Sequence, residues 1–141
     1  MLWHTTLRWQ RQTDAVLEPF NLTHAQFALL STTWYLGRGG ELPNQRQVAE
    51  HAGIGEVMAS QVLRLLERNG MILRQTSATD VRAMALSVTD QGQHLAERAV
   101  AALDEADSRF FNEVPDPEAL LDMLRVLAGR TVTGEARERR Y

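Results

Sequence analysis

Residues 45–72, QRQVAEHAGIGEVMASQVLRLLERNGMI, decide the fold of this chain. Asn44 stands just before this stretch and pairs with Gln47 in a predicted capping box, in which each side chain bonds the other residue's backbone amide and a helix begins. A tight turn is predicted at residues 53–55, and a second helix at residues 56–69. Two helices joined by a short glycine turn are the sequence pattern of a helix-turn-helix.

The residues after this second helix change from helical to strand periodicity. We expect the helix to bury one residue near its start and three further along: Val57 or Met58, then Val62, Leu65 and Leu66. Gly70 is expected to close it in a left-handed conformation. Residues 71–75 are strand-like, residues 76–82 are polar and turn-rich, and apolar residues alternate again over residues 84–88. This pattern predicts a β-hairpin directly after the helix, which is a wing.

Further helices are predicted on both sides of this central unit. The first covers residues 3–18 and ends at a proline, and the next is opened by a capping box of Thr23 and Gln26. Thr89 is expected to cap a long helix, and Asp116, followed by proline, opens the last one. We therefore predict a mainly α fold with a small β-wing, a winged helix-turn-helix dimerised by its N- and C-terminal helices. The first predicted unit is a dimerisation helix at residues 1–22, and the DNA-binding lobe follows at residues 23–89. Two further dimerisation helices cover residues 90–129, and residues 130–141 form a polar tail.

Composition narrows the class of protein. Hydrophobic residues make up 44% of the 141 residues, which suffices for a packed core. No apolar run is long enough to span a membrane, and the N-terminus does not have the pattern of a signal peptide, so we expect a cytoplasmic protein. Cysteine is absent, which excludes disulfides and thiol chemistry.

The net charge of −3 is unevenly distributed along the chain. Residues 44–89 carry five arginines and four acidic residues, for a net charge of +1. Residues 90–122 carry two arginines and nine acidic residues, for a net charge of −7. The predicted helix-turn-helix can therefore still approach a phosphate backbone, although its electrostatic attraction is modest.

Four stretches of sequence occur in an order that is typical of a known family. They are LTHAQFALL at 22–30, QRQVAEHAGI at 45–54, SQVLRLLERNGMI at 60–72, and DVR at 80–82 followed by LSVTDQG at 86–92. In this order and at these spacings they resemble the MarR family of winged-helix transcription regulators, and the likeness covers residues 2–127. The resemblance implies a homodimer that binds double-stranded DNA at an inverted-repeat operator. It also implies that a small, often aromatic effector is a candidate ligand.

The exposed face of the second helix is the expected base-reading surface. It offers four polar residues: Glu56, Ser60, Gln61 and Arg64. Gln61 has the chemistry to bond adenine, Arg64 to hold a phosphate, and Glu56 to accept a hydrogen bond from cytosine N4. An ordinary solvated face is the alternative. Val57 and Met58 are expected either to join the core or to contact thymine methyl groups. The chain departs from the family here, because a hydroxyl residue is common at the position of Gly55 and a basic or polar one at that of Glu56.

Further DNA contacts are expected from the wing and from the first helix of the helix-turn-helix. The resemblance implies that Arg82, at the far end of the hairpin, enters the minor groove, where negative potential favours arginine. Asp80 is placed to hold that guanidinium, and the alternative for the two is a surface ion pair. Phosphate contacts are expected from Arg74 and Thr76 of the wing. They are also expected from Asn44 and Gln45 at a helix N-terminus, where backbone amides can receive a phosphate.

Aromatic residues of the first two helices admit two interpretations. Trp9, His24, Phe27 and Trp34 either line a pocket for a small aromatic effector or pack the joint between the dimerising helices and the DNA-binding lobe. The first and the last two helices carry apolar stripes that one protomer does not obviously cover. We therefore expect a dimer interface at Trp3, Leu7, Phe110, Phe111, Leu120 and Leu124.

Catalysis finds little support in the sequence. The histidines lie far apart and show no metal-ligand spacing: His4, His24, His51 and His94. No glycine-rich phosphate loop or nucleophile motif occurs. Asp104, Glu105 and Asp107 are expected to form an exposed acidic helix face. We expect a DNA-binding regulator, acting as a repressor, and neither an enzyme nor a metal or cofactor protein. The alternative is a winged-helix protein–protein interaction module with weak or no DNA binding, which the low positive charge of residues 44–89 keeps open.

Overall fold

The computed structural model describes residues 1–77 and 84–130. Its helices are α1 (Leu2–Leu17), α2 (His24–Gly37), α3 (Gln45–Ala52), α4 (Glu56–Arg68), α5 (Asp90–Phe111) and α6 (Pro117–Leu127), with a short 3-10 turn at Glu18–Phe20. Two strands, β1 (Ile72–Thr76) and β2 (Met84–Val88), pair antiparallel between α4 and α5. The predicted fold class, mainly helical with a winged helix-turn-helix, is confirmed.

Reciprocal side-chain bonds begin two of the helices where the sequence predicts them. Thr23 Oγ1 accepts a hydrogen bond from the amide of Gln26 at 3.2 Å, and Gln26 Oε1 accepts one from the amide of Thr23 at 3.0 Å. Asn44 and Gln47 make the same exchange ahead of α3, at 2.9 Å in both directions. Each box satisfies two amides that a helix N-terminus would otherwise leave without a partner. Both predicted capping boxes are confirmed.

The turn between α3 and α4 depends on glycine. Gly53 follows α3 with a φ of 70°, a left-handed conformation that costs glycine little. The amide of Ile54 donates to the carbonyl of Ala49 at 3.0 Å, so the chain reverses within a few residues. Gly55 then precedes α4 and offers no side-chain cap. This is the tight turn that the sequence predicts.

The core of the lobe lies where α2 packs against α4 and α5. It is built from aliphatic residues of the helices and the hairpin: Leu17, Leu29, Leu30, Val48, Leu63, Leu66, Ile72 and Leu86. Thr33 is buried among them, and its hydroxyl donates to the carbonyl of Leu29 at 2.7 Å. The polar group is therefore satisfied inside an apolar core.

Helix α4 turns a different face inward from the one predicted at its start. Its buried residues are Ala59, Leu63 and Leu66. Val57 and Met58, one of which the sequence predicts to be buried, are 77% and 55% exposed. Counting back three or four residues from Ala59 reaches positions 56 and 55, so the helical repeat turns 57 and 58 toward solvent. The interpretation of Val57 and Met58 as core residues is therefore wrong, whereas their other interpretation, contact with thymine methyl groups, stays a prediction.

The wing is attached to the helix-turn-helix at its base. Strand β2 forms an isolated bridge to the residue before α3, between Ala85 and Asn44. The amide of Leu86 also donates to the carbonyl of Pro43 at 2.8 Å. These bonds fix the hairpin relative to the N-terminus of α3.

The N-terminus of α5 is bonded to the residues that follow α4. Thr89 Oγ1 caps α5 by accepting from the amide of Gly92 at 2.9 Å, and it donates to the carbonyl of Gly70 at 2.6 Å. The carbonyl of Met71 accepts from the amide of Thr89 at 3.0 Å. That carbonyl lies so close to Gly92 that a β-carbon at this position would overlap it. The long helix is therefore joined tightly to the end of α4 and the start of the hairpin.

Helix α1 packs along α5 and bonds to it through two side chains. Trp9 Nε1 donates to Asp107 Oδ1 at 2.9 Å, and Gln12 Nε2 donates to the carbonyl of Ala106 at 2.8 Å. Asp107 is half-buried as a result. The prediction that it belongs to an exposed acidic face is wrong, because its carboxylate is the acceptor for the indole.

Helix α6 remains open to solvent in this single chain. Asp116 caps it by accepting a hydrogen bond from the amide of Ala119 at 3.0 Å. Within the described residues, α6 buries none of its side chains. Its large exposed apolar residues are Leu121, Met123, Leu124, Val126 and Leu127. An apolar surface of this kind marks a site of interaction with another molecule.

Candidate nucleic-acid interface

The outward face of α4 combines polar, basic and apolar side chains. Val57, Gln61, Arg64 and Arg68 recur at spacings of four, three and four, and all four are exposed. Residues at these spacings lie on one face of a helix. Ser60 is half-buried at the edge of this face. The predicted residues Ser60, Gln61 and Arg64 therefore lie together, and Arg68 extends the face by one further turn.

Glu56 is the first residue of α4. It is exposed, and its charge acts on Arg46. The pKa of Arg46 is raised, first by its hydrogen bond to Glu50, then by the charge of Glu50 and after that by the charge of Glu56. Arg46 Nε lies 2.9 Å from Glu50 Oε1, and the arginine side chain is 75% exposed. Glu56 is thus one of two carboxylates beside a surface arginine.

Arg46 is a candidate phosphate-contacting residue that the sequence interpretation missed. It is exposed in the first turn of α3, next to Gln45, which the sequence does predict. Its position directly after a predicted helix start was the available signal, because a positive side chain there can reinforce anion binding by free backbone amides. The capping box occupies the amides of Asn44 and Gln47 and not those of Gln45 and Arg46.

Arg74 is bonded within the protein at the junction of wing, α3 and α4. Its Nε donates to Glu67 Oε2 at 3.1 Å, and its Nη2 donates to Gln45 Oε1 at 3.1 Å. The side chain is only 20% exposed. Thr76 is exposed at the end of β1, opposite Met84. The structure therefore gives Arg74 and Gln45 internal partners and leaves Thr76 accessible.

Two predicted wing contacts, Asp80 and Arg82, lie outside the described residues. The described part of the hairpin ends at Ser77 on one side and begins again at Met84 on the other. The minor-groove contact of Arg82 and its pairing with Asp80 stay predictions.

The predicted effector-pocket residues do not all meet at one point. Trp9 and His24 are in edge-to-face contact, with ring centroids 5.1 Å apart. Phe27 is buried one turn further along α2. Trp34 lies ten residues beyond His24, or about 15 Å along the helix axis, under the guanidinium of Arg38. Trp9 and His24 thus form one aromatic pair at the joint of α1 and α2, Phe27 belongs to the hydrophobic core, and Trp34 lies apart from the pair.

The predicted dimer residues lie at the surface of α1, α5 and α6, and one of them lines a groove. A groove of about 330 Å³ between α1 and α5 is lined by Arg8, Gln12, Val16, Ala106, Arg109, Phe110 and Glu113. Phe110 packs edge-to-face on Phe111 at 5.0 Å, and Arg8 lies over its ring. Trp3 and Leu124 are exposed, whereas Leu7 and Leu120 are half-buried. These residues border the open surface of α1, α5 and α6.

Two kinds of site have no candidate in the described part of the chain. Across residues 1–77 and 84–130, no three histidine or acidic residues are grouped so that they could hold a metal ion. Over the same ranges, no helix combines the length and apolar character needed to cross a membrane.

A short helix, a glycine turn and a second helix with an exposed polar face, followed directly by a β-hairpin, define a winged helix-turn-helix protein. No protein-family model matches the chain. Curated proteins, however, match it in sequence. The chain is 34% identical over 127 residues to the helix-turn-helix transcriptional regulator YdcH of Bacillus subtilis, covering 90% of this chain and 86% of that protein. It is 30% identical over 107 residues to the transcriptional repressor Rv2887 of Mycobacterium tuberculosis, covering 76% and 74%.

Solved structures give the same result. The repressor CouR bound to a 23-mer DNA duplex matches with a TM-score of 0.77 and 28% identity, over 90% of this chain and 89% of that one. CouR from Rhodococcus jostii RHA1 bound to p-coumaroyl-CoA matches with a TM-score of 0.80 and 25% identity, over 94% and 92%. The MarR-family protein Rv2887 of Mycobacterium tuberculosis in complex with salicylic acid matches with a TM-score of 0.63 and 26% identity, over 91% of each chain.

This chain belongs to the MarR family of helix-turn-helix transcriptional regulators. The assignment rests on Rv2887, which is both a relative in sequence and a MarR-family protein of the same fold. The resemblance that the sequence indicates is therefore confirmed.

Proposed function

We propose that this protein is a sequence-specific repressor that binds double-stranded DNA as a homodimer at an inverted-repeat operator. The observation that carries the proposal is the outward face of α4, where Gln61, Arg64 and Arg68 project from a helix that the turn and the wing hold in place. Glutamine and arginine are side chains that bond base edges and phosphates in the major groove. CouR, a structural relative, is a repressor with a structure on a DNA duplex.

The surroundings of α4 support a role in DNA binding rather than in protein docking. Arg46 is exposed in the first turn of α3, and Arg64 and Arg68 are exposed in the C-terminal half of α4. Charges of this kind attract phosphates, although the acidic Glu56 and Glu50 reduce the attraction. The acidic side chains of the segment 90–122 lie mostly on α5, outside the helix-turn-helix.

The dimer in this proposal forms through α1, α5 and α6. The exposed apolar side chains of α6 and Trp3 of α1 provide a surface that a second copy would cover. The units are those predicted from the sequence: residues 1–22 and 90–129 dimerise, and residues 23–89 bind DNA. A regulator of this kind works beside chromosomal DNA, in the cytoplasm, and catalysis has no part in its action.

We further propose that a small aromatic molecule releases the protein from DNA. Trp9 and His24 lie where α1 meets the first turn of α2, between the dimerising helices and the DNA-binding lobe. Structures of CouR with p-coumaroyl-CoA and of Rv2887 with salicylic acid support an aromatic, acidic class of ligand. A thermal-shift screen of aromatic carboxylates should find compounds that raise the melting temperature and lower DNA affinity, and whose effect Trp9→Ala abolishes.

Selection of bound fragments from genomic DNA tests the proposed function. The expected consensus is an inverted repeat whose half-sites lie about one helical turn apart. Gln61→Ala should relax selectivity at one base pair in each half-site, whereas Arg82→Ala should weaken binding by about 1–3 kcal/mol with little change at major-groove positions. Binding to no DNA at any salt concentration would reject the proposal and favour the protein-interaction module.

A further inference from the structure

One side chain on the outward face of α4 does not fit an ordinary solvated surface. Val57 is 77% exposed and stands in line with Gln61, Arg64 and Arg68. Burial in the core is not its role, since α4 buries Ala59, Leu63 and Leu66 instead. An apolar side chain at the N-terminal end of a polar recognition face can contact an apolar group on the molecule that this face binds.

Val57 is also well placed to reach that molecule. It lies one turn before Gln61, close to the N-terminal end of α4 that faces DNA in winged-helix proteins. The preceding Gly55 has open space where a β-carbon would stand, so no side chain shields this end of the helix. Met58, the other exposed apolar residue, points about 100° further round the helix.

The neighbouring charges decide which partner Val57 meets. Arg64 and Arg68 are exposed on the same face, Glu56 is exposed next to Val57 in sequence, and the charge of Glu56 acts on the exposed Arg46 of α3. Two guanidinium groups further along the face that carries Val57 fit a polyanion better than an apolar protein groove. In the major groove of DNA the apolar group that a side chain can touch is the C5-methyl of thymine.

We propose that Val57 contacts a thymine methyl group in each half-site of the operator. The inference rests on the proposed function and adds a specificity-determining residue to it. It requires a thymine at a fixed position next to the base pair that Gln61 contacts. Because 5-methylcytosine carries a methyl group at the same ring position, it should replace this thymine partly when the opposite base is changed to guanine.

Deoxyuridine substitution tests the inference directly. Each thymine of the selected operator is replaced in turn by deoxyuridine, which removes the methyl group and keeps the base pairing. One position in each half-site should lose about fourfold in affinity, the effect of one buried methyl group. With Val57→Ala, the same replacement should change affinity by less than twofold, because the methyl group no longer has its partner.

Met58→Ala is the matched control, since it truncates an exposed apolar residue on another side of the same helix. It should leave the fourfold sensitivity intact, and unchanged circular dichroism should show that both variants are folded. Specific binding with no thymine sensitive to methyl removal would overturn the inference and leave the proposed function standing. Equal loss of sensitivity in Met58→Ala would overturn the assignment to Val57. Failure of the wild-type protein to bind any DNA would overturn the inference together with the proposed function.

Discussion

Arg74 Nε lies 3.1 Å from Glu67 Oε2, so the first strand of the wing is bonded to the last turns of α4. The same guanidinium donates to Gln45 at the start of α3. One arginine therefore joins the wing, α3 and α4. Two of its donors already have acceptors inside the protein, which bears on the expectation that Arg74 contacts a phosphate.

Replacing Arg74 with methionine distinguishes a positioning role from a phosphate contact. If Arg74 keeps its internal partners on DNA, the variant should lose about 1–3 kcal/mol of stability, at about 0.5–1.5 kcal/mol for each of the two missing hydrogen bonds. Its operator affinity should fall while the dependence of log affinity on log salt concentration keeps its slope. Arg64→Met is the control, because loss of one phosphate contact should reduce that slope by about one. An equal reduction in Arg74→Met would mean that Arg74 leaves Glu67 to bind DNA.

Gly92 is the position where a single methyl group should be most harmful to the fold. A β-carbon there would overlap the backbone carbonyl of Met71, which cannot move without displacing the joint between the wing and α5. Gly92→Ala should lower the free energy of unfolding by about 1–3 kcal/mol, as measured by urea denaturation. Gly39→Ala is the control, since its nearest neighbour would lie at an ordinary 4.0 Å. Similar effects of the two changes would contradict the close approach.

The helix starts were predictable because their signals are local. Thr23 with Gln26, and Asn44 with Gln47, stand three residues apart, and each pair bonds only within its own first turn. No tertiary contact is needed to form such a box. The glycine turn and the change to strand periodicity after Gly70 are local in the same sense, and together they define the winged helix-turn-helix.

The phase of α4 was not predictable from the same information. Apolar residues surround much of this helix, since Val57 and Met58 at its start could complete an apolar face as readily as Ala59. The choice is made by packing against α2, which takes Ala59, Leu63 and Leu66 into the core. No spacing rule within α4 contains that information.

Contacts between distant segments were missed for a related reason. Arg74 and Gln45 are 29 residues apart in the chain, and Trp9 and Asp107 are separated by 98. The sequence presents Arg74 as a free cation on a wing and Asp107 as one acid in a polar run. Only the packing of β1 near α3, and of α1 along α5, brings each side chain to its partner.

A charge on α6 should separate the two copies of the dimer. Leu124 is an exposed apolar residue of a helix that buries none of its side chains in the single chain. Leu124→Glu should therefore shift the sedimenting species at micromolar concentration from twice the chain mass to one chain mass, because the interface would have to bury an unpaired carboxylate. Val57→Glu, an equally simple change at an exposed apolar residue of α4, should remain dimeric. A dimeric Leu124→Glu variant would place the interface away from α6.

Glu56 is the acidic residue whose removal should strengthen DNA binding. It stabilises the N-terminus of α4 by about 0.3–1 kcal/mol through the helix dipole, but the same position should repel phosphates. Its charge also acts on Arg46, which Glu56→Gln would leave with one carboxylate neighbour, Glu50. We therefore expect Glu56→Gln to tighten binding to operator and random duplexes alike, with the larger gain at low salt, where screening is weak.

Glu41→Gln, a change of equal charge in the loop after α2, should have little effect. Binding titrations at two salt concentrations provide the measurement. A loss of affinity confined to the operator would instead mean that Glu56 accepts a hydrogen bond from cytosine, and unchanged affinity throughout would mean that its carboxylate stays with Arg46 and away from DNA.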